Sequence, residues 1–536
     1  MLNFRKDVAP EITIKTIKNI LKVNGIKVKE KKVRSINNNF FSVRIEVKGF
    51  YDMGTNGKGL TQNLARASAY AELMERIQSR ILINNYFLNK NNNLFCFHTE
   101  CVNDDLLYKS KCISSFFYTN NYEKLFIDND KYKVLDKYKD LINNRYCYLP
   151  TKLIYLTSSS NGLCAGNNYY EAISQGIAEI FERYIYRKIL FEDIELDEIT
   201  IDEKLPIYKK IRSLENDGYK IIIKDCTNDT LPVIGVLIIK NNKYLFTLGS
   251  DCDINIAIQR CLTEALQGLD STEQIEKKMK PIDNNYSSFS NNDKFANWLR
   301  CYSSNDGIHP QTIFDCSNKK DYKSLKIFKN LSSNTEVFDY LLRIIKNLHL
   351  SVYIKDYSYL GFNTYKIFIP NLSNISYIDE DDILIYKNYD EIKNIYFDLE
   401  TFYDKDTLIR IIKVLKNVMN HDKYSFITLG NFFHTERYLK TNYNNITFSF
   451  FVGLLELKVY NKVISTSEIS DSKIKNYFEK INFLNIPDRF SYVIKDLDLK
   501  LPSCPNCSKC NLNKKCKYKN WKKINEHLKK QEAFFK

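Results

Sequence analysis

The sequence predicts an α+β fold of internally repeated strand–turn–helix units, followed by a C-terminal accessory region. Two observations carry this. Three stretches read as helices whose polar residues form one stripe on a small, apolar background. Each follows a β-rich segment and a turn of small residues. The clearest is NNYYEAISQGIAEIFER, residues 167–183, where Glu171, Gln175, Glu179 and Glu182 fall at i, i+4, i+8 and i+11. Upstream, NLARASAYAELMER places Ser68, Glu72 and Glu75 at i, i+4 and i+7, with Arg76 following. Downstream, AIQRCLTEALQG repeats that spacing with Arg260, Glu264 and Gln267. Solvated acidic faces carry lysine around them, and these do not, so the stripes are expected to point inward and converge. Buried carboxylates are costly without a positive partner. A hard cation such as Mg²⁺, which takes oxygen ligands, is the natural one.

Length and charge set the bounds. A chain of 536 residues holds one large domain or two to three ordinary ones. Net charge is +15, from 79 basic and 64 acidic residues, but the lysines are spread rather than patched, which argues against nucleic acid as a partner. No apolar run approaches the roughly 18 residues of a membrane span. The N-terminus MLNFRKDVAPEI has no apolar signal core. A cytoplasmic protein without a membrane partner is expected. Its 14 cysteines then read as thiols or metal ligands rather than a disulfide framework.

In chain order, residues 11–24 read as a short amphipathic helix stopped by Gly25. FSVRIEVKGFYDM, from Phe41, reads as a strand or hairpin. The stretch Gly54–Gly59, GTNGKG, reads as a turn before the first striped helix. A glycine-rich turn there suits a phosphate, but the spacing is not that of a Walker motif, and an anchored turn is sufficient reason for Lys58. Residues 86–150, rich in Asn and Tyr, read as an insertion with small helices. Leu153–Leu156 reads as a strand, and SSSNGLCAGNN as the turn into the second striped helix, where Asn168 and Glu171 also fit a capping box. Residues 219–225 and 232–248 hold β-branched runs expected to be neighbouring strands. Gly249 and Ser250 then turn into the third striped helix, with Asp253 as its cap.

These motifs in this order resemble the YcaO-domain family: TNGKG before ExxER, SNGLCAGN before QGxxExxER, the later RxxxE helix, and VYIKDYSYLGFNTYKIFIPNLS from Val352. The resemblance spans residues 1–380. It implies ATP- and Mg²⁺-dependent phosphorylation of a peptide or protein backbone amide oxygen, after which sulfide makes a thioamide or a Cys, Ser or Thr closes an azoline. It further implies that Glu72, Glu75, Glu179, Glu182 and Glu264 hold Mg²⁺. Arg183 and Arg260 would meet phosphate oxygens, and Ser68, Asn167, Glu171 and Gln175 would line the nucleotide pocket. Lys6 and Thr13, in RKDVAPEIT, would close that pocket from the N-terminal side. A homodimer and a sulfur-transfer or leader-binding partner protein are part of the same expectation. Azoline-forming members end in a proline-rich tail, whereas this sequence ends QEAFFK. The thioamidation type, or an accessory factor for methylthiolation of a ribosomal protein, is therefore expected.

Beyond residue 380 the resemblance fades. Residues 381–495 read as a mainly helical accessory domain, with amphipathic patterns from Glu391 to Asn420 and a buried helix in TFSFFVGLLELKVY from Thr447. Residues 496–536 read as a tail containing Cys504, Cys507, Cys510 and Cys516 at C-x2-C-x2-C-x5-C spacing. Such a density of thiolates points to a metal, zinc or an iron–sulfur cluster, and the spacing leaves both open.

Overall fold

The computed structural model describes residues 6–51, 53–81, 136–149, 151–192, 194–283, 285–315, 318–376, 379–402, 404–420, 424, 427–433, 435, 439–502, 508 and 510–535. Its N-terminal part mixes helices with three antiparallel-rich sheets. The first sheet holds β1 (Val28–Glu30), β2 (Arg34–Ile36), β3 (Phe40–Val47) and β4 (Gly54–Gly59), all antiparallel, with β3 central. The second has the order β6-β5-β14-β15-β7: β5 (Asp136–Asp140), β6 (Arg145–Leu149), β7 (Leu163–Gly166), β14 (Tyr353–Asp356) and β15 (Asn363–Phe368). The third has the order β12-β11-β10-β9-β8-β13: β8 (Glu198–Thr200), β9 (Lys220–Asp225), β10 (Val233–Lys240), β11 (Lys243–Ser250), β12 (Lys280–Pro281) and β13 (Lys319–Asp321). Only β8 and β13 are parallel in it.

The helices that matter to the site follow these strands. α1 (Pro10–Val23) starts at a proline and is stopped at Gly25, whose φ of 69° no β-branched residue would take. α2 (Gln62–Gln78) is capped by the Thr61 hydroxyl, which accepts from Leu64 N at 3.2 Å. α3 spans Thr151–Ser158, and α4 spans Tyr169–Glu192. α5 (Ile254–Ala265) is capped by Asp253, which accepts from Asn255 N at 2.8 Å.

The repeat expected from the sequence is visible atom by atom in two of the units. Thr55 Oγ1 donates to Ala69 O at 2.8 Å, and Thr247 Oγ1 donates to Cys261 O at 2.9 Å. A Cβ added at Gly57 would lie 2.0 Å from Ala65 O, and one added at Gly249 would lie 2.4 Å from Ala257 O. A single shift along the chain maps each of these residues onto its counterpart, and it also maps Glu72 onto Glu264. In both units a strand threonine ties the strand to the helix, and a strand glycine lets the helix backbone lie against it. The middle unit differs: there β7 pairs β15, and Gly176 on α4 gives the room for Cys164.

Three local expectations change. GTNGKG is a strand, not a turn, and its glycines serve close contact with α2 rather than chain reversal. Gly249 and Ser250 likewise lie within β11. Leu153–Leu156 is helical; a short apolar run has no period of its own to choose strand over helix. Most of the expected insertion, residues 86–135, lies outside the described residues. Its end, 136–149, is a hairpin built into the second sheet, where β5 pairs β14.

The C-terminal part has its own apolar core, assembled from α8 (Tyr389–Phe397), α9 (Lys405–Val418), α10 (Phe448–Tyr460) and neighbouring segments. (α6, Asn291–Ser304, and α7, Asn334–Asn347, precede them.) α10 is buried along nearly its whole length, as its sequence implied. Its one acid, Glu456, accepts from Ile464 N at 2.8 Å and from Ser465 N and Oγ at 2.9 Å. The last helix, α11 (Tyr518–Phe535), returns to the N-terminal part, where Leu528 joins the core under α1 and α2. Glu532 pairs there with Arg80, both side chains only 4% exposed. Among the described residues no helix is long and apolar enough to cross a membrane.

Candidate active site

One cavity of about 480 Å³ lies where α2, α4 and α5 meet β4 and the segment before α1. It is lined by Lys6, Thr13, Ser68, Glu72, Glu75, Asn167, Glu171, Gln175, Glu179, Glu182, Arg183, Arg260 and Glu264. All thirteen residues singled out from the YcaO resemblance are thus brought together. Apolar walls from Val8, Pro10, Leu64, Val337 and Leu341 complete it. A concavity in which polar groups converge beside apolar walls is a usual form of small-molecule site.

Side-chain bonds tie the N-terminal segment to the start of α4 and the residues just before it. Lys6 Nζ reaches Glu171 Oε1 at 2.7 Å, and Thr13 Oγ1 donates to Asn167 Oδ1 at 2.7 Å. Asn167 Nδ2 in turn donates to Glu171 Oε2 at 3.1 Å. The expected capping box is half present. Asn168 Oδ1 accepts from Glu171 N at 2.8 Å, but the Glu171 carboxylate turns to Lys6 and Asn167.

The acids crowd around four cations. Arg76 lies 3.3 Å from Glu75 and 3.5 Å from Glu72. Arg183 Nε lies 4.0 Å from Glu182, and Arg260 lies 3.3 Å from Asp251. Lys58 Nζ contacts Glu264 Oε2, while Asn305 Nδ2 donates to Glu264 Oε1 at 3.0 Å. Loss of water raises the pKa of Glu72, Glu182 and, most of all, Glu75. Arg76 and Lys58 oppose the rise at Glu72, and Arg183 and Lys58 oppose it at Glu182. Burial works against the Arg183 cation too, yet Glu182 and Glu179 hold its pKa above the ordinary value. Behind the acids, burial pulls the Lys366 amine down to about 7, and that amine donates to Asn161 O at 2.6 Å and to Ser158 Oγ at 2.9 Å.

The lining carries the carboxylates of Glu72, Glu75, Glu171, Glu179, Glu182, Asp251 and Glu264 against the cations Lys6, Lys58, Arg76, Arg183 and Arg260. Negative charge is in excess, and the donors are hard oxygens on rigid helices, which fits a divalent ion such as Mg²⁺. Arg183 Nε is buried without a hydrogen-bond partner, which fits an anionic oxygen beside that ion. As placed, no three His, Cys, Asp or Glu side chains among the described residues form a ready metal cage. The acids instead hold the chain's own cations.

Sequence reasoning missed Lys58, Asp251 and Asn305, and gave Arg76 no role. Arg76 was in view, adjacent to the ExxER glutamates. Lys58 and Asp251 sit on strand ends that read as turns, and Asn305 comes from a distant helix terminus with no sequence signal. Of the cysteine cluster, Cys504 and Cys507 lie outside the described residues. Cys510 and Cys516 are half-buried at the edge of the C-terminal core.

Residues 56–373 match the family model described as YcaO cyclodehydratase, ATP- and Mg²⁺-binding. An uncharacterized protein of Haemophilus influenzae is 27% identical over 434 residues, covering 74% of this chain and 72% of the relative. The ribosomal protein S12 methylthiotransferase accessory factor YcaO of Escherichia coli is 28% identical over 398 residues, covering 69% of this chain and 66% of the relative. Among solved structures, a heterocyclase in complex with substrate and cofactor aligns with a TM-score of 0.47 and 17% identity, covering 72% of this chain and 56% of its own. YcaO of Methanopyrus kandleri bound with AMPPCP and Mg²⁺ aligns with a TM-score of 0.45 and 16% identity, covering 69% of this chain and 93% of its own. With the family model matched over more than half its length, the chain belongs to the YcaO family.

Proposed function

We propose that this protein uses ATP and Mg²⁺ to phosphorylate a backbone amide oxygen of a peptide or protein, for thioamidation or a related sulfur modification. The observation that supports it best is the convergence of three acidic helix stripes in one cavity. In this reading Glu72, Glu75, Glu179, Glu182 and Glu264 would hold Mg²⁺, which would supply neutralisation of the phosphate charge. Arg183 and Arg260 meet the phosphates with forked donors. Ser68, Asn167, Glu171, Gln175, Lys6 and Thr13 seat the rest of the nucleotide. The γ-phosphoryl group passes to the amide oxygen and ADP leaves. Sulfide then adds to the amide carbon, and the oxygen departs with phosphate. An amide oxygen is a poor leaving group, and its phosphoryl ester is a good one. Phosphate release that requires both ATP and a peptide supports the reading; release that ignores every peptide partner tested counts against it.

A second reading rests on the resemblance to the Escherichia coli accessory factor. Here the protein binds nucleotide and docks a sulfur-inserting partner such as a methylthiotransferase, without turning substrate over itself. Nucleotide-dependent co-purification with such a partner, and no phosphorylated amide, distinguishes it. In either reading the protein works in a complex, as a homodimer or with a partner that presents the substrate.

A further inference from the structure

Lys58 is the cation that the repeated scaffold does not require. The shift that maps Thr55 onto Thr247 and Gly57 onto Gly249 maps Lys58 onto Ser250, a small and wholly buried residue. The scaffold therefore accepts an uncharged side chain at this position. Lys58 also differs from the arginines of the cavity. Arg76 and Arg183 pair with acids on their own helices. Lys58 crosses from β4 to Glu264 on another unit, and Glu182, Glu72 and Glu179 are the acids that attract it further. Its tether is short and fixed, because glycines on both sides of it press β4 against α2: an added Cβ would meet Ala65 O at 2.0 Å from Gly57 and Leu64 Cβ at 2.7 Å from Gly59. Gln267 Nε2 also holds Asn56 O at 2.9 Å. The amine thus stands among carboxylates that come from all three striped helices.

We propose that Lys58 is a tethered counter-ion: it occupies the acidic seat until a divalent cation loads, and it thereby sets the affinity of the seat for that cation. This rests on reading the same carboxylates as cation ligands. A divalent ion takes Glu264 and Glu182 only as the lysine lets go, so its binding is a competition with an amine that never leaves the protein. The lysine keeps the unloaded cluster tolerable, since unpaired acids so close repel one another, and it weakens binding of the metal in return.

The test is Mn²⁺ binding to the full-length protein without nucleotide, followed by electron paramagnetic resonance. Lys58→Met, which keeps the chain length and removes the charge, should bind Mn²⁺ about tenfold tighter than the parent protein. Lys58→Gln, which keeps a donor for Glu264, serves in the same way if the first variant does not fold. Equal or weaker Mn²⁺ affinity in the folded variants overturns the proposal. Glu182→Gln separates the two levels of the argument. If it binds Mn²⁺ as well as the parent does, or if neither the parent nor a Lys58 variant binds any, the carboxylates are not cation ligands and the functional reading fails as well.

Discussion

Lys6 Nζ stands 2.7 Å from Glu171 Oε1, joining residues 165 positions apart across the mouth of the cavity. Together with the Thr13–Asn167 bond it brings the segment before α1 onto the second striped helix. Lys6 is 38% exposed, so the pair adds little to stability. Lys6→Met should raise the Kd for a non-hydrolysable ATP analogue about tenfold, the scale of one charged hydrogen bond, and barely move Tm. Calorimetry showing unchanged affinity would remove Lys6 from the pocket.

Glu179→Ala and Glu182→Ala should each lower ATP hydrolysis by more than the roughly 100-fold that even outer partners of a metal ligand can cost. The fold should survive, because removing one acid from a crowded group relieves repulsion. Circular dichroism and phosphate release, measured on the same preparations, check both halves.

Gly57→Ala should separate β4 from α2. The new methyl would meet Ala65 O at 2.0 Å and Ala69 N at 2.3 Å, and neither backbone atom has a flexible end to give way. Because β4 carries Lys58 and α2 carries Glu72 and Glu75, nucleotide binding should be lost along with stability. A variant that binds nucleotide normally would show the contact to be slack.

His309 should make the protein acid-sensitive. It is buried, stacks on Tyr186 at 5.5 Å, and bonds the Tyr186 hydroxyl at 2.7 Å and the Tyr244 hydroxyl at 3.2 Å. Burial lowers its pKa from 6.5 to about 3. Between those values the unfolded chain holds the extra proton, so stability is kept above pH 6.5 and falls as pH drops toward 3, by up to about 1.4 kcal/mol per pH unit. His309→Gln should flatten that part of the profile in urea denaturation. A wild-type profile already flat there would contradict the assignment.

Glu532→Gln should destabilise the N-terminal core. Arg80 and Glu532 are both 4% exposed, and breaking a buried pair from one side costs about 3–5 kcal/mol. Replacing both with apolar residues should recover much of the loss, which a double-mutant cycle measures.

The site was more legible than the strands around it. Helical stripes announce themselves because a carboxylate every third or fourth residue on an apolar helix must meet a cation where that face packs inward, and Glu72, Glu179 and Glu264 were found on that ground. GTNGKG misled because glycine serves both turns and close packing, and only the position of Ala65 decides between them. Leu153–Leu156 misled because four apolar residues fit either period. Lys58 and Asn305 escaped because their meaning lies in Glu264, which is far from both in sequence.

The placement of Leu528 has a consequence for biosynthesis. This side chain is fully buried in the apolar cluster that also holds residues of α1, α2 and β3, so that cluster lacks one of its members until the helix Tyr518–Phe535 has emerged from the ribosome. Vectorial synthesis therefore cannot complete the N-terminal core early. A nascent chain halted before residue 518 would leave unfilled the place of Leu528 in the apolar cluster shared by the helix that carries Glu72 and Glu75, a state suited to capture by chaperones.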